Sequence, residues 1–118
     1  MKRIIVPLLL ASLLSCKKDA TTAADNTAPV ITITTPASGQ VFTAGQTIAI
    51  TGTITDDNYI AEVHVHVSNL VTGALLMDVH LYPAAASTSF NQSLTATAGV
   101  QYRIQVIAKD KAVNQATE

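Results

Sequence analysis

The chain has 118 residues, nearly half of them apolar, with seven lysines and arginines against eight aspartates and glutamates, and a single cysteine. That length holds one small domain with a modest core, and one cysteine excludes a disulfide scaffold within the chain. The few basic residues are dispersed, which excludes a nucleic-acid footprint and a polybasic membrane patch.

Lys2 and Arg3 form a short basic start, and Ile4 to Leu14 is an apolar run of eleven residues. A membrane span needs about 20 residues, so the run fits the apolar region of a secretory signal instead. Leu13-Leu14-Ser15-Cys16 then sets a small residue directly before the cysteine. This resembles the bacterial lipobox, where a lipoprotein signal peptidase cuts before the cysteine. The resemblance implies that residues 1–15 are a signal peptide and that Cys16 becomes the lipidated N-terminus. Each buried methylene of an acyl chain contributes roughly 0.8 kcal/mol, so several chains hold a small domain on a membrane durably. An ordinary secretory signal with an incidental cysteine is the competing reading. A lone thiol in an oxidising compartment is a liability that acylation removes. The implied address is the bacterial cell envelope, with a lipid anchor in the outer membrane and the membrane face left open, since Lys17 is not an obvious retention signal. After cleavage five basic residues face eight acidic ones, a net charge of −3.

Lys17 to Ala28, KKDATTAADNTA, is small and polar without periodicity and reads as a tether, so residues 16–28 are a lipidated cysteine plus flexible spacer. Fully extended, a dozen residues reach roughly 40 Å. Pro29 marks the expected start of order, as proline does at a strand's first residue.

From there residues 29–118 alternate with period two. Val30-Ile31-Thr32-Ile33-Thr34-Thr35 sets isoleucines on one face and threonines on the other. Pro36-Ala37-Ser38-Gly39 is turn chemistry. Thr47 to Thr55 repeats the pattern, with Ile48, Ile50 and Ile54 facing in, and Asp56-Asp57-Asn58 is expected to break it. Ile60 to Ser68 sets Val63, Val65 and Val67 on one face and Glu62, His64, His66 and Ser68 on the other. Leu75 to Tyr82 follows a Thr72-Gly73 turn. Phe90 and Leu94 mark a further strand, and Tyr102, Ile104, Val106 and Ala108 line one face of the next. Short period-two strands with turns between them predict an all-β sandwich.

Gly99-Val100-Gln101-Tyr102 looks like the tyrosine corner of immunoglobulin-like and fibronectin type III domains, in which the phenol bonds back to the preceding loop. A plain core tyrosine is the alternative. A longer series of motifs is Pro29-x-Ile31-x-Ile33, Pro36-x-x-Gly39, Phe42-x-x-Gly45, Ile48-x-Ile50-x-Gly52, Asp56-Asp57, Ile60-x-x-Val63-x-Val65 and Ala108-x-Asp110-x-x-x-Asn114. Together they resemble bacterial Ig-like domains over about residues 29–116. That resemblance implies an immunoglobulin-like antiparallel β-sandwich of about seven strands, used in adhesins and as spacers, including in small Bacteroidetes lipoproteins. The chain has Val113 where the family has glycine before the asparagine, so the last turn is expected to differ. The stretch from Val113 to Glu118 has little apolar character, which predicts a short or incomplete last strand. The alternatives are a truncated chain, or an open edge that takes a strand from a partner.

Two constellations could hold a metal. A hairpin through a three-residue loop with Gly73 left-handed, keeping the valine face inward, sets His64 opposite His80 and His66 opposite Asp78. Three imidazoles and a carboxylate, His64, His66, His80 and Asp78, would then cluster outside, a set that zinc or copper accepts. A one-residue slip would scatter them onto an ordinary solvated or partner-touching face. The second constellation is Asp25, Asp56, Asp57 and Asp110 at one end of the sandwich, where some bacterial Ig-like and cadherin domains bind calcium. Local turn bonding by these residues is the competing role.

The chain has no G-x-S-x-G, H-E-x-x-H, phosphate loop or dinucleotide fingerprint. It has no tryptophan and few aromatic residues to frame a sugar groove. Asn91-Gln92-Ser93 reads as a solvated edge. The expectation is a membrane-anchored, non-catalytic envelope lipoprotein that binds a protein or glycan partner or acts as a spacer, without nucleic acid. Metal binding (zinc, copper or calcium) is the alternative.

Overall fold

In the computed structural model, which describes residues 23–118, alternating β-branched residues form six strands and no helix. The expected signal peptide, Cys16 and the first part of the tether lie outside the described residues. The strands are β1 (Val30–Thr35), β2 (Thr47–Asn69), β3 (Leu75–Leu81), β4 (Ala85–Thr95), β5 (Tyr102–Asp110) and β6 (Gln115–Thr117). All pairings are antiparallel.

The long β2 organises the domain. Its first half pairs with β1 on one side and β4 on the other, Ile54 standing opposite both Ile31 and Thr88. Its second half pairs with β3 and β5, Val65 standing opposite both Val79 and Val106. One strand therefore serves both layers of the sandwich, and the seven segments expected become six strands.

Asp56-Asp57-Asn58 does not end the strand as the sequence predicts. These residues bend it, and the register against β4 jumps between Thr55 and Ile60. The physical cause is local. Asp56 Oδ1 accepts the backbone N–H groups of Asn58 and Tyr59 at 2.9 and 2.7 Å, closing a small turn inside an extended run. The bulge re-aims the chain without giving up its pairing on either side.

The core lies between the two halves of β2. Ile48, Ile50 and Ile54 meet Val63, Val65 and Val67, with Phe90, Val106 and Ala108 closing the sides, and none of these is more than 3% exposed. Gly52 sits buried in this wall because a side chain there would run into the Thr32 carbonyl and the Phe90 ring. On the far arch, Thr97 N–H donates to the Tyr102 hydroxyl at 2.8 Å, which is the tyrosine-corner bond.

The last strand is short and polar. β6 pairs Gln115, Ala116 and Thr117 with Lys109, Ala108 and Ile107, and Glu118 exchanges two backbone bonds with Val106 at 2.9 Å. Among the described residues, no strand covers Tyr102–Gln105 on that side. Val113 has φ 72°, the left-handed conformation that glycine adopts freely and a β-branched residue resists. The Asp110 carboxylate holds that turn, accepting Asn114 N–H and Asn114 Nδ2 at 2.7 Å each.

Candidate functional site

The histidine face follows from the buried valines. Val63, Val65 and Val67 point into the core, so Glu62, His64, His66 and Ser68 must point out. The turn into β3 is one residue longer than expected. Asn69 and Ala74 bracket Leu70–Gly73, with Gly73 left-handed at φ 74° and Asn69 Oδ1 accepting Val71 and Thr72 N–H. A register shift between Val67 and Ser68 absorbs the extra residue. The pairs that result are His64 with His80 and His66 with Asp78.

Three imidazoles and one carboxylate converge there. Asp78 Oδ1 is 3.0 Å from His66 Nε2 and 2.9 Å from His80 Nε2. The His64 and His80 rings stack with centroids 3.9 Å apart, and His64 lies edge-on to His66 at 5.5 Å. One donor atom from each of His64, His66, Asp78 and His80 lies within 4.8 Å of the others.

Glu62 completes the cluster, and the sequence reading did not place it there. Its Oε1 is 2.6 Å from His64 Nε2 and 3.8 Å from His80 Nδ1, and Lys109 Nζ is 3.9 Å from its Oε2. The hydrogen bond with His64 holds the Glu62 carboxyl below its ordinary value. Loss of surrounding water opposes this, and charge on His64, Lys109 and His80 adds to it. The signal for Glu62 was present as the same-face spacing Glu62-x-His64.

The acidic end is a separate place. Asp25, Asp56 and Asp110 each offer a carboxylate oxygen within 4.8 Å of the others, while Asp57 is exposed and does not belong to the group. Asp57 fails to join because it follows Asp56 on the bulge and faces solvent. Asp110 is buried at 2% exposure, and Asp56 Oδ2 is buried without a hydrogen-bond partner among the described residues. The Asp25 carbonyl accepts Asn114 Nδ2 at 3.0 Å, so the chain before Pro29 already docks on the domain at Asp25. Turn bonding occupies the remaining oxygens of Asp56 and Asp110. An all-oxygen group of this kind suits calcium rather than zinc.

A family model described as Bacterial Ig domain matches residues 29–106. The chain belongs to the bacterial Ig domain family. The match runs from Pro29 through most of β5, well over half of the chain, and takes in the tyrosine corner and both halves of β2. No curated protein and no solved structure matches the chain. Bacterial Ig domains typically serve adhesion or spacing rather than catalysis. The family match does not account for the histidine face.

Proposed function

We propose that this protein is a lipid-anchored bacterial envelope protein whose Ig domain holds or presents a binding surface away from the membrane, without catalysis. What carries the reading is the order of parts along one chain. A basic start, an eleven-residue apolar run and Ser15-Cys16 come directly before a polar spacer and a bacterial Ig domain. Acyl chains on Cys16 would hold the protein at a bilayer, and the spacer from Lys17 would let the domain stand off its surface. The partner is a protein or a glycan, met by the polar outer faces of the sheets.

Cell fractionation tests this in a bacterial host with a lipoprotein-processing pathway. The expected result is that the protein stays with membranes through a high-salt wash, is released by detergent and takes up labelled fatty acid, while Cys16→Ser abolishes both the label and the removal of residues 1–15. A wild-type protein found soluble, or a Cys16→Ser variant that still takes up the label, would overturn the reading.

A further inference from the structure

We propose that the outer face of the β2–β3 hairpin binds one divalent transition-metal ion of the zinc class, held by His64, His66, His80 and Asp78. The inference stands on the hairpin's own geometry and does not depend on the lipid anchor.

The donor set comes first. Imidazole nitrogens with a carboxylate oxygen suit zinc and its neighbours, whereas calcium and magnesium take oxygen. Spacing is the second point. Zinc–nitrogen bonds of about 2.0–2.1 Å place tetrahedral ligands about 3.3 Å apart. The four donors here already lie within 4.8 Å of one another. The separation left to close is therefore at most about 1.5 Å.

Rigidity is the third point. The ligands alternate with buried residues on β2, Val63, Val65 and Val67 each being fully buried. A slip that scattered the ligands would turn these valines out into water. The Cβ positions are therefore fixed by the core rather than by the cluster itself. An ordinary solvated strand face lets its side chains spread into water. Here two imidazoles turn onto a single oxygen of Asp78, and the third stacks on its neighbour.

Support from the surroundings is the fourth point. Metal-bound histidines usually give their other ring nitrogen to a carboxylate, which fixes ring orientation. Glu62 stands at 2.6 Å from His64 Nε2 and would take that role with the ion on the ring's other nitrogen. Glu62 is thus a positioning residue, steadied in turn by Lys109. Side chains of His64, His66 and His80 are 24%, 28% and 39% exposed, so an ion reaches them directly from solvent.

The test uses the full 118-residue chain carrying Cys16→Ser, in mild detergent, so that no free thiol competes for metal. Zinc is titrated against a chromogenic chelator, and cobalt is added separately for its visible spectrum. The expected result is one zinc per chain, a raised melting temperature, and the intense visible bands of four-coordinate cobalt. His64→Ala and His80→Ala each weaken zinc binding at least tenfold, and Glu62→Gln weakens it about tenfold, the range seen when an outer-shell partner is lost. Lys111→Ala, away from this face, binds as the parent does. Metal-free melts of the variants that match the parent show that the fold is kept. Zinc not retained by the parent, binding unchanged in both histidine variants, or zinc lost equally in Lys111→Ala would overturn the proposal.

Discussion

Replacing Gly52 with alanine would push a methyl group into two walls at once. Gly52 lies mid-way along the first half of β2, opposite Ile33 on β1 and Phe90 on β4. A Cβ at that position meets the Thr32 backbone carbonyl and the Phe90 ring, with Phe90 Cε1 at 2.8 Å. The ring can rotate or shift, but the carbonyl belongs to the neighbouring strand and can yield only if β1 moves. Overpacking a well-filled core costs about 1–3 kcal/mol. Removing a mid-strand glycine returns about 0.5–1 kcal/mol by restricting the unfolded chain. The net expected loss is about 1–2 kcal/mol, which lowers the melting temperature of a domain this size by about 5–15 °C. Urea unfolding should show a lower midpoint with an unchanged slope, since the surface buried on folding stays the same. Adding Phe90→Leu removes the ring but not the carbonyl. The double variant should therefore be less destabilised than the sum of the two single changes, while remaining below wild type. Gly52→Ala melting at or above wild type would refute the close approach of β1, β2 and β4 at this point.

Other positions give further expected outcomes. Val113→Gly should raise the midpoint of unfolding, because a left-handed residue costs roughly 1–2 kcal/mol and glycine's added chain freedom returns only part of it; a fall in midpoint would contradict the strained turn. Tyr102→Phe should cost about 1 kcal/mol, the net worth of its bond to Thr97 N–H, as read by chemical denaturation; an unchanged midpoint would mean the hydroxyl holds nothing. Asp110→Ala should cost about 3 kcal/mol, since two hydrogen bonds from Asn114 to a buried carboxylate vanish together. Amide exchange in that variant should speed up across Gln115–Thr117 ahead of the rest of the domain; uniform exchange would contradict the role given to this turn.

Period-two alternation made β1, both halves of β2, β3 and β5 legible, because in each one face is more covered than the other, fully buried along β2 and half-buried along β1 and β3. The inward valines fixed which residues face out, but the pairing of His64 with His80 comes from a four-residue loop and a compensating shift between Val67 and Ser68 that the sequence did not show. The continuity of β2 through Asp56–Tyr59 could not be read. Consecutive acidic and amide residues signal a turn, and nothing local says that the turn will be absorbed as a bulge. β4 was legible only at Phe90 and Leu94, because Ala85 to Ser89 are small residues without an apolar rhythm. β6 was visible only as a weak polar stretch, since its three residues owe their form to β5 and to the Asp110 turn. The partnerless oxygen of Asp56 depends on how three separate segments meet, which no local pattern encodes.

Acyl chains on Cys16 would decide where the domain is held, and mass spectrometry of the N-terminal peptide of protein extracted from bacterial membranes tests for them directly. The predicted result is a chain that lacks residues 1–15 and begins at Cys16 with acyl chains attached. A chain that begins elsewhere, or an unmodified Cys16, would contradict the account.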